Sequence, residues 1–336
     1  MRILVTGGAG YIGSHACVEL LESGHEVIVI DNLSNSKEMS LSRVKEITGH
    51  DIKFYTLDLL DKVKLNQLFS DHSIDSVIHF AGLKSVAESI VNPLAYYRNN
   101  VSGSVNLFDV MTKHNVKNLV FSSSATVYGL TDSLPLKENC PLSAENPYGR
   151  TKIIIEEILR DLHDSDNAWN IISLRYFNPV GAHASGRIGE DPSGIPNNLL
   201  PYISQVAIGK LKQLTVYGND YATHDGTCIR DYVHVVDLAK GHISAIEKLD
   251  SHPGLVIYNL GTGNGYSVMD MLGSFERANN IAIPYTIGPR RPGDIDASYT
   301  DPGLAMSELG WQANLGIEDF CRDAWRWQQD NPNGYE

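Results

Sequence analysis

The sequence predicts an α/β protein built on a doubly wound parallel sheet, with helices on both faces. Short β-branched runs alternate with longer stretches that carry apolar residues at helical spacing, which is typical of β–α–β units. Small and polar residues follow successive runs directly, at the strand ends where parallel sheets bind ligands. The predicted strands cover residues 3–5, 27–30, 54–56, 76–79, 118–121 and 171–175. The predicted helices cover residues 12–21, 62–69 and 93–113.

Length and composition predict two domains. The chain has 336 residues, more than one hydrophobic core usually serves, because a domain averages roughly 150 residues. After about Asn178 the chain becomes rich in Gly, Pro and Asn. We therefore expect a first domain over residues 1–178 and a smaller, mixed α/β domain over residues 179–336. Residues 231–248 resemble a helix and 256–260 a strand, so segments near 231–262 are expected to return to the first domain.

Charge and cysteine content disfavour several classes of function. The 27 Lys and Arg residues and 40 Asp and Glu residues give a net charge of −13, which disfavours binding to nucleic-acid phosphates. The sequence has no apolar run of membrane-spanning length and no secretion signal at residues 1–6, so we expect a cytoplasmic protein without a membrane span. The cysteines form no CxxC pair or Cys/His cluster, which predicts reduced, buried thiols and no metal site. They are Cys17, Cys140, Cys228 and Cys321.

A glycine motif follows the first predicted strand and predicts a dinucleotide site of the Rossmann type. Gly7, Gly10 and Gly13 allow a tight turn, a close approach of pyrophosphate to the backbone, and close helix–strand packing. Asp31 ends the second strand, where a carboxylate accepts both ribose hydroxyls and repels a 2′-phosphate. The pair therefore favours NAD over NADP. The alternatives are a plain glycine turn, and for Asp31 a helix cap or an Asx turn.

Two later strand ends are consistent with the same site. Asp58 follows the third strand, and residues 80–84 follow the fourth with small side chains that let the backbone approach a flat cofactor. Asp58 could equally cap the helix that begins near Asp61, and Ala81 and Gly82 could serve close packing alone.

Tyr148 and Lys152 are candidates for acid–base chemistry. They are four residues apart at the start of a helical stretch over 151–162, so they lie on one helical face. A nearby ammonium favours the phenolate and lowers the pKa of the phenol from about 10. Ser122 and Ser124, at the end of the fifth strand, could hold a substrate oxygen. The alternative is a surface lysine beside a packed tyrosine.

These motifs together resemble the extended short-chain dehydrogenase/reductase superfamily and, within it, the UDP-galactose (UDP-glucose) 4-epimerases. The resemblance covers almost the whole chain. The matching segments are residues 7–13, 31, 58–59, 80–84, 99–101, 122–129, 148–152, 175–181, 195–199 and 230–235.

The resemblance implies 4-epimerisation of UDP-galactose and UDP-glucose through a 4-keto sugar, with transient reduction of a tightly bound NAD that each turnover regenerates. Tyr148 would be the base, Lys152 would orient the nicotinamide ribose, and Ser124 would bind the reacting hydroxyl. The implied NAD-binding residues are Gly7, Gly10, Tyr11, Ile12, Gly13, Asp31, Asn32, Asn35, Ser36, Asp58, Leu59, Phe80, Ala81, Gly82, Lys84, Asn99, Ser122, Tyr148, Lys152 and Phe177.

The second domain would then bind the UDP-sugar, with Arg230 and Arg291 on its pyrophosphate, where guanidinium geometry suits phosphate oxygens. For the asparagines of this set the alternative is loop capping, and for the tyrosines it is packing. The implied substrate-binding residues are Lys84, Ser124, Ala125, Thr126, Tyr148, Asn178, Asn198, Leu199, Tyr217, Arg230, Tyr232, Arg291, Asp294 and Ser298.

Ser298 departs from part of the family. By resemblance it lies beside the hexose, where members limited to plain hexoses often carry tyrosine and members that also accept N-acetylated sugars carry a small residue. We therefore expect UDP-N-acetylglucosamine and UDP-N-acetylgalactosamine to be substrates too. A shift of one residue would place Tyr299 there and reverse this expectation, and Ser298 could also be an ordinary loop residue.

Two classes of rival function stay open: another nucleotide-sugar enzyme on this scaffold, either a dehydratase or a decarboxylase, and a protein that only binds NAD. A nucleotide-sugar dehydratase on this scaffold typically needs an Asp–Glu pair just after the fifth strand, where this chain has Ala125 and Thr126, and elimination would lack its proton carriers. A decarboxylase is not excluded by spacing. A non-catalytic NAD sensor would have no need of Tyr148 and Lys152.

Apolar residues also predict an assembly. The helices near 93–113 and 148–163 carry more apolar positions than one core-facing stripe uses. Packing within the chain is one explanation. The resemblance implies another, a homodimer in which the two helices of each copy form a four-helix bundle.

Overall fold

The computed structural model describes residues 1–131, 133–291 and 293–336. Its strands are β1 (Arg2–Thr6), β2 (Glu26–Asp31), β3 (Lys53–Thr56), β4 (Ser76–His79), β5 (Asn118–Ser124), β6 (Asn170–Tyr176), β7 (Asn178–Val180), β8 (Leu214–Tyr217), β9 (Ile229–His234), β10 (Leu255–Leu260), β11 (Gly265–Ser267), β12 (Tyr285–Gly288) and β13 (Ala297–Ser298). Its helices are α1 (Tyr11–Glu22), α2 (Met39–Thr48), α3 (Lys62–Asp71), α4 (Val86–Val91), α5 (Pro93–Tyr96), α6 (Gly103–Lys113), α7 (Pro147–Ser165), α8 (Leu199–Ala207), α9 (Val235–Leu249), α10 (Val268–Asn279), α11 (Gly303–Leu309) and α12 (Ile317–Asp330).

Seven strands form the central sheet, in the order β10-β6-β5-β4-β1-β2-β3. Every neighbouring pair in it is parallel. The six predicted strands all lie inside β1 to β6, and the predicted strand 256–260 lies inside β10. The predicted fold class is therefore confirmed, and the carboxyl ends of these strands all lie at one edge of the sheet.

Side chains alternate between two helical layers, because successive residues of a strand point to opposite faces. In β1, Ile3 and Val5 belong to the core that also contains Val18 of α1 and Ile246 of α9. Leu4 belongs to the opposite core, which includes residues of α3, α6 and α7. Burying both faces in this way explains why β1, β4 and β6 consist largely of β-branched and aliphatic residues.

The chain after β6 forms smaller units around a third core. Strands β7, β9, β11 and β13 make one small sheet, and β8 pairs with β12 in another. Helices α8, α10 and α12 contribute Ile203, Phe275 and Phe320 to the core beneath them. The return of the chain to the large sheet comes through α9, which packs on α1, and β10, which pairs with β6. The domain division at residue 178 stays a prediction.

Several expectations about local structure were wrong. Residues 231–234 belong to strand β9 rather than to a helix, because the Asp231 carboxylate is bound by backbone N–H groups of Thr262, Gly263 and Thr300. Helix α9 instead begins at Val235, where His234 accepts a hydrogen bond from the N–H of Val236.

Helix α2 was not predicted, and the predicted helix 93–113 contains a π-helical turn over Tyr97–Ser102 between α5 and α6. The four cysteines are free thiols, as expected, but Cys140 is only partly buried. Among the described residues, no helix has both the length and the apolar character that crossing a membrane requires.

Candidate active site

The glycine motif forms a compact turn between β1 and α1. Gly7 has a φ of +70°, and a Cβ on it would lie 2.8 Å from the N of Ala81. A Cβ on Gly13 would lie 2.3 Å from the carbonyl oxygen of Gly7. The described residues provide no side-chain cap for α1, whose N-cap is Gly10. The first N–H groups of this helix therefore remain available to an anion at the sheet edge.

Asp31 connects the turn to the next loop. One carboxylate oxygen accepts a hydrogen bond from the N–H of Ala9 at 3.1 Å, and the other accepts from the N–H of Leu33 at 2.9 Å and from Ser36 Oγ at 2.8 Å. The bond from Leu33 is an Asx turn, so this alternative is present in the structure. The oxygen that accepts from Ala9 still has room for a further donor such as a ribose hydroxyl.

Asp58 is hydrogen-bonded to Asn32, the residue after Asp31, and it does not cap α3, the helix that follows it. It accepts hydrogen bonds from Asn32 Nδ2 at 2.9 Å and from the N–H of Leu60 at 2.8 Å. The cap of α3 is Asp61, which accepts from the N–H of Lys64. The alternative explanation of Asp58 as a helix cap was therefore wrong.

The loop over residues 80–84 is held by a residue that the sequence did not single out as a ligand-binding group. Asn100 accepts from the N–H of Leu83 at 2.8 Å and donates to the carbonyl oxygen of Leu83 at 3.0 Å. Asn99, the predicted binding residue, donates to the side chain of Asn100. A Cβ on Gly82 would lie 3.3 Å from Asn100 Oδ1. No local spacing could have found this long-range pair.

Tyr148 and Ser124 meet at the carboxyl end of β5. Helix α7 begins at Pro147, after Asn146 caps it by accepting from the N–H of Gly149 at 2.9 Å. Thr126 donates its hydroxyl to Ser124 Oγ at 3.0 Å, which leaves the Ser124 proton free for another acceptor. The site therefore places a serine hydroxyl near the phenol, and that hydroxyl lowers the pKa of Tyr148.

Lys152 lies one helical turn further along and is almost fully buried. Its ammonium donates to the carbonyl oxygen of Ser122 at 2.6 Å and lies 5.9 Å from the centre of the Tyr148 ring. Burial lowers the pKa of Lys152 to about 8, against the raising effect of Glu156. The predicted proximity of ammonium and phenol is thus present.

The pKa of Tyr148 differs from the expectation. Burial raises it above its ordinary value, while the hydrogen bond with Ser124 and the charge of Lys84 oppose that rise. The charge of Lys84 acts on the phenol, and the Lys152 ammonium lies 5.9 Å from the centre of the same ring.

A buried aromatic pair lies next to these groups and was not predicted. The hydroxyl of Tyr176 donates to His242, whose other ring nitrogen lies 2.8 Å from the carbonyl oxygen of Leu238. The ring of His242 lies 4.7 Å from that of Phe80. Burial lowers the pKa of His242 to about 4, so this histidine is neutral near pH 7 and supports the loop that follows β4.

We call Gly7–Gly13, Asp31, Ser124, Tyr148 and Lys152 the sheet wall of the site. Four of the predicted substrate residues beyond β6 form a second group, which we call the lobe wall: Tyr217, Arg230, Arg291 and Asp294. The Asp294 carboxylate lies 2.9 Å from Arg291 Nε and 3.5 Å from Arg230 Nη2. The Arg291 guanidinium lies 5.1 Å from the centre of the Tyr217 ring.

The strand that carries Arg230 of the lobe wall is connected to the central sheet through β7. Strand β7 directly follows β6, and in it Asn178 pairs with Tyr232 of β9. Arg230 precedes Tyr232 by two residues on the same strand and pairs with Ser298 of β13. Tyr299 directly follows β13, and its ring lies 3.5 Å from the position that a Cβ on Gly265 would take. Pro292, inside the predicted motif that ends at Ser298, lies outside the described residues.

Other predicted residues have structural surroundings of their own. Leu59 is buried next to Gly103, so only its backbone could reach a ligand. Phe177 is buried in a small core with Tyr128 and Leu136. Ile12 is partly buried and packs on the core beneath α1, while Asn35 is exposed.

One bridge joins residues of both parts of the chain. Lys84 Nζ lies 3.1 Å from Glu190 Oε1, and the same oxygen accepts from Asn198 Nδ2 at 2.7 Å. Asn198 is the residue before α8, in which Leu199 is the first residue. Tyr11 makes a second link, because its hydroxyl donates to the carbonyl oxygen of Gly181 at 2.6 Å.

One group of metal-ligating type lies at the surface. The ligand atoms of His224, Asp225 and Asp270 lie within 4.8 Å of one another. Asp225 already accepts from the N–H of Thr227, and Asp270 from the N–H of Ser267 in a capping box. These hydrogen bonds explain the two carboxylates without a metal.

The arrangement has the parts for reversible proton transfer next to a dinucleotide. The uncapped helix and Asp31 suit a pyrophosphate and a ribose, and the phenol of Tyr148 can take up and return a proton. Residues 125–127 form a short 3-10 turn after β5, and Ala125 and Thr126 place no carboxylate there.

Comparison with known proteins gives consistent results. Residues 3–261 match the model of the NAD dependent epimerase/dehydratase family. The chain is 59% identical over 336 residues to UDP-glucose 4-epimerase of Bacillus subtilis (strain 168), covering 100% of this chain and 99% of that protein. It is 56% identical over 341 residues to UDP-glucose 4-epimerase of Homo sapiens, covering 99% of this chain and 98% of the human protein.

Two solved structures are also similar to this chain in both fold and sequence. UDP-glucose 4-epimerase from Bifidobacterium longum in complex with NAD+ and UDP has a TM-score of 0.96 and 52% identity, covering 99% of this chain and 100% of the other. UDP-glucose-4-epimerase from Stenotrophomonas maltophila with bound NAD and formylated UDP-arabinopyranose has a TM-score of 0.97 and 49% identity, covering 99% of each chain. This chain belongs to the NAD dependent epimerase/dehydratase family.

Proposed function

We propose that this chain interconverts UDP-galactose and UDP-glucose by inverting the configuration at C4 of the hexose. The observation that carries the proposal is the Tyr148–Lys152 pair at the carboxyl edge of the sheet, with the ammonium 5.9 Å from the centre of the phenol ring, in a chain 56–59% identical over its full length to proteins named UDP-glucose 4-epimerase. NAD is the cofactor, held through the whole cycle.

The residues present fit NAD. The free N–H groups at the start of α1 suit its pyrophosphate, and the buried carboxylate of Asp31 suits an adenosine ribose without a 2′-phosphate. Lys152 and Phe80 would hold the nicotinamide end. When bound, NAD supplies an acceptor for a hydride and returns that hydride later.

The chain's own residues then move the proton. Tyr148 takes the proton of the 4-hydroxyl and gives it back to the same oxygen when the turned-over 4-keto sugar is reduced at its opposite face, while Ser124 keeps that oxygen within reach. Because the 4-keto sugar must turn over between the two steps, binding energy has to reside in the UDP. Arg230 and Arg291 supply it through charge-assisted hydrogen bonds to the diphosphate.

Ala125 and Thr126 favour epimerisation over dehydration. Elimination of water needs an acid and a base at the substrate, and these two positions carry neither. A non-catalytic NAD sensor is the other rival, and replacing Tyr148 separates it from an enzyme.

The decisive experiment is conversion of UDP-galactose by the purified protein with no added NAD, followed by chromatography of both 4-epimers. We expect conversion by the wild type and a fall in kcat of about 10³-fold in Tyr148→Phe, within the range for acid–base groups. Tyr55→Phe, at an exposed tyrosine, is the control. No conversion even with NAD supplied would contradict the proposal, and equal rates in wild type and Tyr148→Phe would contradict the role of Tyr148.

N-acetylated UDP-hexoses are proposed as further substrates. The pairing of Ser298 with Arg230, and the location of Tyr299 beside Gly265, support Ser298 as the residue that faces the sugar. Ser298→Tyr is then expected to abolish conversion of UDP-N-acetylgalactosamine and to keep conversion of UDP-galactose. Equal losses on both substrates would contradict a size gate.

A homodimer is also part of the proposal. Apolar side chains on α4, α5 and α6 are exposed in the single chain, with Ile90, Val91, Leu94 and Val105 exposed by 63%, 85%, 73% and 44%. A second copy would cover them through the helices near 93–113 and 148–163. Sedimentation should give a dimer that Leu94→Glu dissociates; a wild-type monomer at all concentrations would contradict the assembly.

A cytoplasmic location completes the proposal. The free thiols Cys17, Cys228 and Cys321 are buried and unpaired by disulfides among the described residues, which suits a reducing compartment. Fractionation of the source cells tests it, and recovery of the protein outside the cytoplasm would contradict it.

A further inference from the structure

Asp231 is a fully buried carboxylate directly next to Arg230, one of the two arginines proposed to bind the diphosphate. The two side chains lie on opposite faces of β9, because successive residues of a strand alternate. The Arg230 side chain is 17% exposed, whereas Asp231 has no exposed surface. A buried carboxylate is costly unless donors surround it, so the donors around Asp231 indicate its role.

We propose that Asp231 is a positioning residue for substrate binding: its carboxylate holds the backbone at Thr300 against β9 and so fixes residues 294–300, which include Asp294 and Ser298, beside Arg230. This inference rests on the proposed function. It assigns to the substrate site a residue that acts without touching the substrate.

The Asp231 carboxylate accepts hydrogen bonds from two segments outside β9. Its Oδ1 accepts from the N–H of Thr262 at 2.8 Å and from the hydroxyl of Thr262 at 2.7 Å. Its Oδ2 accepts from the N–H of Gly263 at 3.0 Å and from the N–H of Thr300 at 3.2 Å. The carboxylate therefore ties to β9 both the loop that follows β10 and the chain that follows β13.

These segments meet closely at Gly261. A Cβ on Gly261 would lie 2.6 Å from Thr300 Cγ2 and 2.7 Å from Asp231 Oδ2. Thr300 is 1% exposed, and its hydroxyl donates to the carbonyl oxygen of Leu136 at 3.3 Å. The backbone at Thr300 is thus held in the protein interior.

The same segment reaches the lobe wall through Arg230. Arg230 Nη1 donates to the carbonyl oxygen of Ile295 at 2.9 Å, and Arg230 Nη2 lies 3.5 Å from Asp294 Oδ1. Ser298 pairs with Arg230 in β13, a strand of two residues. Because so short a pairing contributes little by itself, the Asp231 carboxylate is needed to fix the end of the segment that follows Ser298.

A loosened segment should weaken substrate binding rather than chemistry. Ordering mobile groups on association costs binding free energy, so a site that is ordered in advance binds more tightly. Tyr148 and Ser124 lie on α7 and β5, outside the segments that Asp231 holds. We therefore expect the loss of the Asp231 contacts to appear in affinity for the UDP part and not in kcat.

The test is a calorimetric titration of UDP into the full-length protein that carries NAD. Asp231→Asn replaces one acceptor oxygen by an amide nitrogen, which cannot accept from a backbone N–H. We expect Kd for UDP to rise about 10-fold, the cost of ordering one or two further side chains on binding. KM for UDP-galactose should rise by a similar factor, with kcat within about twofold of the wild type.

Asp237→Asn is the matched control. Asp237 is 2% exposed, and its Oδ2 accepts from the N–H of Asn314 at 2.8 Å and from the N–H of Leu315 at 2.7 Å. This carboxylate also ties a distant segment to its own element, but that segment leads to α12 and contains no residue proposed to bind the substrate. The control should lower the thermal midpoint as Asp231→Asn does and leave Kd for UDP within about twofold of the wild type.

Thr262→Val is a milder variant that tests the same contacts if Asp231→Asn does not fold. It removes the hydroxyl that donates to Asp231 Oδ1 at 2.7 Å and keeps the shape of the side chain. We expect Kd for UDP to rise about two- to threefold, as for one weak net hydrogen bond. An unchanged Kd in a folded Thr262→Val protein would count against the inference.

The remaining outcomes overturn the inference. A lower thermal midpoint with an unchanged Kd for UDP would give Asp231 a structural role only, and equal rises in Kd for both aspartate variants would show a general loss of stability. A fall in kcat at constant Kd would place its effect on the chemistry. UDP binding requires no turnover, so a wild type that binds UDP without converting UDP-galactose contradicts the proposed function and leaves this test valid.

Discussion

The two walls of the candidate site are built from different parts of the polypeptide. The sheet wall offers backbone N–H groups, the hydrogen-bonded carboxylate of Asp31 and the partly buried phenol of Tyr148. The carboxyl edge of a seven-stranded sheet holds all of them. The lobe wall offers guanidinium groups that are held by Asp294 and remain partly exposed, with Arg291 at 51%. Damage to the sheet wall should therefore appear in stability and cofactor retention, and damage to the lobe wall in substrate affinity.

The largest expected effect lies beneath the sheet wall. Arg175 Nη2 and Glu156 Oε2 form an ion pair of 2.6 Å in which both side chains are 2% exposed, and Ser123 also donates to Glu156. Burial lowers the pKa of Arg175, but the hydrogen bond and charge of Glu156 raise it above its ordinary value overall. Glu156→Gln leaves a buried cation without its partner.

This variant should lose about 3–5 kcal/mol of unfolding free energy, the usual cost of breaking a buried pair from one side. Denaturant unfolding of wild type and variant measures it. Glu26→Gln, which breaks the exposed pair of Glu26 with Arg2, is the control and should leave stability unchanged. A loss of the same size in both variants would remove the distinction between buried and exposed pairs.

The glycine turn gives the next largest effect. Gly13→Ala puts a Cβ 2.3 Å from Gly7 O and 2.7 Å from Gly8 Cα, and backbone atoms cannot move aside cheaply. The strain should cost about 1–3 kcal/mol of unfolding free energy and should strip NAD from the purified protein. Ultraviolet absorbance of the cofactor released on denaturation measures its content.

Gly316→Ala is the matched control for Gly13→Ala. Gly13 lies in the first turn of α1 and Gly316 is the N-cap of α12, but a Cβ on Gly316 would meet nothing within 4 Å, and its φ is −106°. Full NAD content in the Gly13 variant would show that the close packing of this turn is not what holds the cofactor.

The lobe wall should respond in affinity. Arg291→Met removes a guanidinium proposed to bind the diphosphate, and a hydrogen bond to a charged group is worth about 1.5–3 kcal/mol. We expect KM for UDP-galactose to rise about 10- to 100-fold with kcat little changed and stability intact. Arg290→Met, next in the chain but paired with Asp220, is the control. A fall in kcat without a change in KM would move Arg291 from binding to chemistry.

The regular part of the fold could be predicted because its signal is local. Apart from the exposed edge strand β3, each strand of residues 3–175 contains a run of β-branched and aliphatic residues, and burial on both faces explains that composition. Helix α2 was missed because it buries only Ser40, Leu41 and Val44, too few apolar residues for a clear helical stripe.

The same distinction applies to the site. The spacings from Gly7 to Gly13 and from Tyr148 to Lys152 could be recognised because neighbours in a turn or a helix are neighbours in the sequence. Asn100 and Glu190 could not, since they act on residues 17 and 106 positions away and no local pattern encodes such a pairing.

A pH-dependent effect concerns a buried histidine beneath the sheet wall. His79 accepts from Thr6 Oγ1 at 2.7 Å and donates to Ser104 Oγ at 2.8 Å, because Ser104 gives its own proton to the carbonyl oxygen of Asn100. Both ring nitrogens are thus satisfied by the neutral form. Burial lowers the pKa of His79 from 6.5 to about 3.

Between these two pH values the unfolded chain binds a proton at this position and the folded chain does not. Stability therefore falls as pH decreases from 6.5 towards 3, by about 1.4 kcal/mol per pH unit for one such group. His79→Gln removes that contribution, so the slope of unfolding free energy against pH between 4 and 6 should become shallower by about this amount. His50→Gln, at an exposed histidine, should keep the wild-type slope. An unchanged slope in the His79 variant would mean that the folded protein tolerates a protonated His79 beneath the sheet wall. The prediction of an uncharged support for the sheet wall, in contrast to the charged lobe wall, would then be wrong.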